Sequence, residues 1–317
     1  MPFKKWCVIS WSISALASAG CAHLPTQAAM QAKDAREIRA LLARPTPETL
    51  TIASILEPWT NAEGYADLSM KYIEQAEALA PRRPELVSIE LAQCRRLMCA
   101  DEKRIEDHLK ELDPENGFVW LPELVSAQAS GSQPEITAAI VRISRSSKMT
   151  FYWNELEVLL ADGMAVAEPS VGLSDRGVYA IGLASALAIP PLQPMSKACR
   201  PDQFEAPGRR AACEALFMQM EHSSSVLTQS LALSVQNRWW PAGTAQHAVL
   251  QEKRRRLDYL MTMSSRIRWW RPNRDMALRL EAARQTEREE DVELAVIKSF
   301  GLPADPPASW KDSLNAG

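Results

Sequence analysis

The chain contains little glycine, with only 12 among its 317 residues. An all-β protein needs many tight turns, so this scarcity, together with a hydrophobic share of 46%, favours a globular helical protein. The net charge of −3 is also small, and it gives no indication of a nucleic-acid partner. A chain of this length can form one large domain or two ordinary ones.

The sequence also lacks the motifs that identify common catalytic sites. It has no nucleophile elbow, no HExxH zinc motif, no P-loop and no dinucleotide fingerprint. His108 lies among charged residues in "IEDHLKEL", which is typical of a solvated helix face. Glu221, His222 and Ser223 are adjacent, and adjacent residues on a helix point in different directions. We therefore expect no catalytic residues, no metal site and no cofactor.

The first 24 residues have the features of an export signal. Lys4 and Lys5 precede an apolar run from Trp6 to Ala17. This run is too short to span a bilayer, and its length suits the core of a signal peptide.

The stretch "SAGC", which ends at Cys21, resembles the bacterial lipobox, although Ser18 stands where that motif usually has Leu. In that family of signals the cysteine is lipidated and becomes the new N-terminus. The resemblance implies lipid attachment at Cys21. Ala22 is not the Asp that typically retains lipoproteins at the inner membrane, so we expect the periplasmic face of the outer membrane. The alternative is ordinary cleavage at "ASA" and a soluble periplasmic protein.

Four further cysteines remain after the signal and Cys21, and an even number in an oxidising compartment indicates disulfides. Proximity in sequence favours the pairs Cys94–Cys99 and Cys199–Cys213 among three possible connectivities. Closing the second loop contributes about 3 kcal/mol in the chain-entropy model. Zinc binding is the alternative, although the chain has no Cys-x-x-Cys.

A spacing of 33 residues recurs in the first half of the chain. It separates Pro81 from Pro114 and Trp120 from Trp153. "KELDPENGFVWLPELVSAQASG" resembles a tetratricopeptide junction, in which an aromatic follows six residues after the proline and Gly131 comes eleven after the aromatic. The resemblance covers about residues 50–160. It implies antiparallel helix pairs that stack, because one pair cannot bury its apolar face alone. A generic run of antiparallel helices is the alternative.

The fold is predicted to be all-α, with a tetratricopeptide-like solenoid followed by a helical bundle, since apolar residues recur at spacings of three and four.

In the second half, helices are predicted over 209–237, from Thr244 or Ala245 to about Arg268, and over 274–301, and a loop is predicted over 167–177. The predicted divisions are a signal peptide at 1–20, a tether and short helix at 21–47, helical repeats at 48–165, a Pro-rich connection with a buried helix at 166–208, a helical subdomain at 209–302 and an irregular tail at 303–317.

Two tryptophan pairs in similar contexts, "NRWWPA" and "IRWWRP", close two of these helices. They comprise Trp239, Trp240, Trp269 and Trp270. Consecutive helices in a hairpin are antiparallel, so the pairs are expected about 35 Å apart at opposite ends of the bundle. One tryptophan of each pair is expected to pack in the core and the other to cover the helix end. A stacking surface for glycans, or a contact with lipid, is the alternative.

The run "KRRR", which contains Arg254 and Arg255, is the strongest local charge in the chain. Four successive residues point around a helix, so a solvated surface paired with nearby acidic residues is expected. A basic patch that faces anionic lipid is the alternative.

These features together predict an envelope lipoprotein whose helical-repeat surface binds a partner protein or peptide without catalysis. The lipid at Cys21 would hold it to the membrane. The alternative is a cell-wall glycan-binding module or an envelope enzyme that uses the tryptophan-rich helices of the C-terminal half.

Overall fold

The computed structural model describes residues 27–60, 63–187 and 190–310, with the backbone alone for residues 27–30, 186, 269 and 270. This part of the chain is all-α, as the composition predicts, and contains no strand. Its first nine helices are α1 (Gln27–Leu42), α2 (Pro47–Thr60), α3 (Tyr65–Leu79), α4 (Pro84–Leu97), α5 (Glu102–Leu112), α6 (Leu121–Ser130), α7 (Gln133–Ser144), α8 (Trp153–Ala167) and α9 (Leu173–Leu187). The remaining helices are α10 (Gln193–Ala198), α11 (Arg209–Glu221), α12 (Val226–Gln236), α13 (Ala245–Trp270), α14 (Pro272–Ala283) and α15 (Glu289–Ser299).

The predicted tetratricopeptide corner lies at the start of α6. Trp120 ends a 3₁₀ turn (Gly117–Trp120), and its indole Nε1 donates to the carbonyl of Pro114 at 3.0 Å. Gly131 follows α6 with φ of +71°, a left-handed conformation that glycine adopts without steric cost, and the chain reverses there into α7. Packing elsewhere is not a simple linear stack, since α8 packs on α2 and α7 packs on α11. The tetratricopeptide type of repeat therefore stays a prediction.

The contact between α8 and α2 is close because Gly163 has no side chain. A Cβ at this position would lie 2.6 Å from Ile52 Cδ1 and 3.0 Å from the backbone of Glu48. The main core forms around this contact. It gathers buried residues of α1 to α5, α8 and α9, and also Met276 and Leu280 of α14.

A second core joins segments on both sides of the predicted 166–208 connection. It contains buried residues of α6 and α7 together with α10, α11 and α12. Smaller clusters join α13 to α15 and α12 to α13. The cores thus link early and late helices.

Two helices predicted as continuous are each broken in two, and those predictions are wrong. The segment 209–237 divides at residues 222–225, where Ser223 Oγ donates to the carbonyl of Met149 at 2.8 Å. The segment 274–301 divides at residues 284–288, where Asn154 Nδ2 donates to the carbonyl of Thr286 at 2.9 Å. The two breaks meet, because Glu289 N donates to the carbonyl of Ser224 at 2.8 Å. Bonds to distant parts of the chain replace the next helical turn at both places.

The loop predicted over 167–177 is shorter than expected, since α9 already begins at Leu173. Asp175 lies in the first turn of that helix, where a negative charge is favoured by the helix dipole. The predicted start at Thr244 or Ala245 fits α13, because Thr244 Oγ1 caps the helix by accepting from His247 N at 3.2 Å.

Candidate binding site

Trp239 lies in the connection between α12 and α13 and packs mainly inward. Its ring meets Phe217 edge-on with centroids 5.2 Å apart and Phe204 edge-on at 5.4 Å. Its indole Nε1 is buried and has no hydrogen-bond partner among the described residues. Trp239 thus joins the second core to the surface.

Trp240 is half-buried and lies against a different cluster, which contains Leu250 of α13. The guanidinium carbon of Arg210 lies 5.7 Å from the centroid of its ring. This distance is within the range of a cation–π contact. The carbonyl of Trp240 lies 3.3 Å from His247 Nδ1, which ties it to the start of α13.

Both tryptophans line one open groove of about 510 Å³ between α11, α12 and the start of α13, here called the Trp groove. Its apolar lining includes Met218, Val249 and Leu250, and its polar lining includes Glu214, Glu221, His222 and Lys253. Met218 is 56% exposed and Val249 is 55% exposed. Two large apolar side chains therefore face solvent beside two half-buried tryptophans, the composition expected of a recognition surface.

The carboxylates of the Trp groove already have partners. Glu221 accepts hydrogen bonds from Gln236 Nε2 and from Lys253 Nζ. Glu214 accepts from Arg210 Nε at 3.0 Å. Paired carboxylates of this kind are held as fixed charges at the rim, where they bias which ligands approach.

Four carboxyl groups elsewhere have strongly shifted titration. Burial raises the pKa of Glu155, Glu157 and Glu289 to about 7. Burial raises the pKa of Glu77 to about 9, and the hydrogen bond that its protonated carboxyl donates to the neighbouring Glu90, together with the charge of Glu90, adds to the rise. None of these four lines the Trp groove.

The second tryptophan pair lies far from the first. Trp240 precedes α13, whereas Trp269 and Trp270 are the last two residues of this helix of 26 residues. At 1.5 Å per residue α13 is about 39 Å long, so the backbone of the second pair lies at the end of the helix away from Trp240. The side chains of Trp269 and Trp270 lie outside the described part of the chain, so how they pack stays a prediction.

The basic run on α13 is largely paired. Lys253 contacts Glu221, and Arg256 Nε lies 3.6 Å from Asp305. Arg255 donates to both carboxylate oxygens of Glu252 at 2.8 Å and to the carbonyl of Pro307 at 3.0 Å. Arg254 makes no ion pair with a described residue. Arg254 and Arg255 do not line the Trp groove.

The serines after His222 have structural partners. Ser223 Oγ donates to Met149, and Ser225 Oγ caps α12 by accepting from Leu227 N at 3.2 Å. None of the described hydrogen bonds of these two hydroxyls involves His222. The contacts of the two serines explain why the helix is broken here, and they are not the contacts of a catalytic nucleophile.

The described cysteines form the two disulfides that proximity favours, Cys94–Cys99 and Cys199–Cys213. The second closes the segment that carries Phe204 and Arg210, both in contact with the tryptophans. Cys21 and the predicted signal peptide lie outside the described residues.

Sequence reasoning missed Met218 and Val249 as groove residues, and Phe204 as a contact of Trp239. Met218 offered a signal, because it falls off the stripe of Leu216 and Met220 that faces the core. An apolar side chain on the polar side of an amphipathic helix is exposed. Phe204 gave no such signal, since its contact depends on how the disulfide-closed loop folds.

Comparison of the chain with protein-family models, with curated proteins and with solved structures gave no match. No described helix combines the length and the apolar character needed to cross a bilayer. Across residues 27–60, 63–187 and 190–310, no group of three or more His, Cys, Asp or Glu is arranged to hold a metal ion.

Proposed function

We propose that this protein is a non-catalytic envelope lipoprotein that binds a partner protein through an apolar peptide segment in the Trp groove. The observation that carries the proposal is the exposure of Met218 and Val249 next to the half-buried Trp239 and Trp240. Burying such surface is the main source of free energy in protein association, at about 25 cal/mol per Å².

The dimensions of the groove support a peptide ligand. Its volume of about 510 Å³ is enough for a few side chains. Tryptophan and methionine are both enriched at interface cores, where their large surfaces bury well. Glu214 and the ion pair of Glu221 with Lys253 place charges of both signs at the rim, which suits a polypeptide with polar residues around an apolar anchor.

The location follows from the N-terminal sequence. Lipid at Cys21 would place the protein at the periplasmic face of the outer membrane, and the two disulfides agree with an oxidising compartment. In this account the anchor holds the helical body close to its envelope partner. No catalytic step is part of the proposal.

Glycan binding is the second candidate, and one observation favours it. Two tryptophans and the carboxylates of Glu214 and Glu221 share one groove, and sugars stack on tryptophan rings beside hydrogen-bonding carboxylates. The peptide proposal is preferred because Arg210 already lies over the ring of Trp240, and because Met218, Val249 and Leu250 add an apolar lining beside the tryptophans.

The test uses the purified mature protein with a phage-displayed peptide library and with solubilised muropeptides as separate probes. Met218→Lys and Val249→Lys place a charge in the groove, and Val178→Lys on α9 is the control, because Val178 is 57% exposed and lies outside the groove. Apolar peptides should be enriched and should bind each groove variant at least about tenfold more weakly, a loss of about 1.4 kcal/mol. The control should bind like the wild type.

Two results would contradict the peptide proposal. Muropeptide binding that is lost in Trp240→Ala, without peptide enrichment, would favour the glycan function. Peptides that bind all three lysine variants equally would show that the groove is not their site.

A further inference from the structure

A second groove, of about 660 Å³, runs along α7 and has a lining of one charge sign. It is here called the α7 groove. Among the described residues its charged lining residues are Arg142 and Arg145, and no carboxylate lines it. Its apolar lining includes Pro134, Val141 and Pro207, and the neutral polar Gln133 and Thr137 complete it. Two cations thus border a largely apolar channel.

The two arginines differ in whether a described carboxylate already pairs with their charge. Arg142 lies 3.4 Å from Glu123 and its guanidinium carbon is 5.0 Å from the ring centroid of Trp120. Arg145 is exposed and makes no ion pair with any described carboxylate. Arg145 is therefore the cation that is free to bind a ligand.

A third cation lies directly behind the groove wall. Arg209 is fully buried, at 0% exposure, and its partners are all neutral. It donates to Thr137 Oγ1 and to Gln133, each at 3.0 Å, and both of these residues line the groove. A buried charge without a counter-ion is costly, and an anion in the groove would offset part of that cost.

The start of α7 adds to the positive potential. Gln133 and Pro134, its first two residues, line the groove, and Ser132 before them makes no side-chain cap. The helix dipole therefore presents its positive end there. Glu135, the acidic residue of the first turn, pairs with Ser130 Oγ at 3.1 Å and lines a different groove.

We propose that the α7 groove binds an acidic peptide segment, with apolar side chains against its proline and valine walls and a carboxylate at Arg145. Charge complementarity selects the anion, and the apolar length of the channel selects a chain over a free ion. This site is separate from the Trp groove, and its test does not depend on the function proposed there.

The test measures fluorescence anisotropy of two labelled hexapeptides on the purified mature protein. Both carry Leu, Ala and Val, and they end either in Asp-Glu with a free carboxylate or in the amidated Asn-Gln equivalent. Arg145→Gln removes the free cation. Arg254→Gln is the matched control, because Arg254 also lacks an ion pair and lies on α13 outside the groove. Inorganic phosphate and phosphatidylglycerol vesicles serve as competing probes.

The acidic peptide should bind at least about tenfold more tightly than its amide, as a charge-assisted hydrogen bond predicts. Arg145→Gln should remove that preference, and Arg254→Gln should keep it. Equal binding of both peptides, or equal loss in both variants, would overturn the proposal. Binding of phosphate or vesicles that depends on Arg145, without binding of the acidic peptide, would overturn it in favour of a phosphate ligand.

Discussion

Arg209 Nε donates to Thr137 Oγ1 across 3.0 Å, and this bond fixes the loop closed by Cys199–Cys213 against α7. The next residue, Arg210, faces the other way and lies over the ring of Trp240. One disulfide-closed loop therefore borders both grooves. The binding proposed for each groove would depend on the fixed conformation of that loop.

Removal of this disulfide should affect both stability and binding. Cys199→Ser with Cys213→Ser should lower the free energy of unfolding by about 3 kcal/mol, because the unfolded chain regains the entropy of the open loop. The same change at Cys94 and Cys99 opens a shorter loop and should cost about 2 kcal/mol. Urea unfolding measures both. Ligand binding in either groove should weaken in the Cys199/Cys213 double variant and not in the Cys94/Cys99 double variant. Equal losses of binding in both variants would contradict the view that the loop closed by Cys199–Cys213 shapes the two grooves.

Two glycines of α9 should respond to alanine with opposite signs. A Cβ at Gly177 would lie 1.9 Å from Sδ of Met276, which is buried, so Gly177→Ala should destabilise by about 1–3 kcal/mol. A Cβ at Gly182 would meet nothing within 4 Å, so Gly182→Ala should stabilise by up to about 1 kcal/mol. Thermal unfolding followed by circular dichroism separates them. A destabilised Gly182→Ala would show that the packing around α9 differs from the structure.

The buried charges between α13, α14 and α15 depend mainly on one arginine. Arg279 Nε donates to Asp275 at 2.9 Å and its other nitrogens donate to Glu293, with all three side chains almost fully buried. Arg279→Met leaves the two carboxylates with only the longer contacts of Arg268, at 3.6 Å and 4.0 Å, and should cost about 3–5 kcal/mol. The control is Arg284→Met, which breaks an exposed 2.6 Å pair with Asp162 and should cost about 1 kcal/mol or less. Denaturant unfolding measures both variants, and an equal loss of unfolding free energy in Arg279→Met and Arg284→Met would contradict the importance given to the buried pairs of Arg279.

Stability should fall as pH rises. Burial raises the pKa of Glu77 to about 9, so the folded protein keeps a proton that the unfolded chain releases above about 4.3. Glu157 and Glu289, raised to about 7, add to this loss only up to neutral pH. Urea unfolding at pH 5, 7 and 9 should therefore show decreasing free energies, with the change above pH 7 due mainly to Glu77.

Glu77→Gln isolates that contribution. In this variant the free energy of unfolding should change little between pH 7 and 9, because the amide does not titrate. Glu63→Gln, at an exposed position, should keep the pH dependence of the wild type. A Glu77→Gln profile identical to that of the wild type would contradict the buried, protonated state of Glu77.

Local signals in the sequence were sufficient for part of this structure. The cap at Thr244 and the glycine at Gly131 mark chain reversals through their own chemistry, and the disulfide pairs follow from short separations. The helix breaks were not predicted, because Ser223 bonds to Met149 and Thr286 to Asn154 over long sequence distances. The two grooves were not predicted either. Val249 and Met218 come together only when α11 and α13 pack. The position of Arg209 behind α7 depends on how the disulfide-closed loop folds.

The most direct test of the Trp groove is site-specific photocrosslinking in intact cells. A photoreactive phenylalanine derivative replaces Val249 in the groove or, as control, Val178 on α9, which is similarly exposed. The account predicts a crosslink from position 249 to one envelope protein, absent from position 178 and lost when Met218→Lys is added. Crosslinks from position 249 to cell-wall glycan alone, or the same products from both positions, would contradict it.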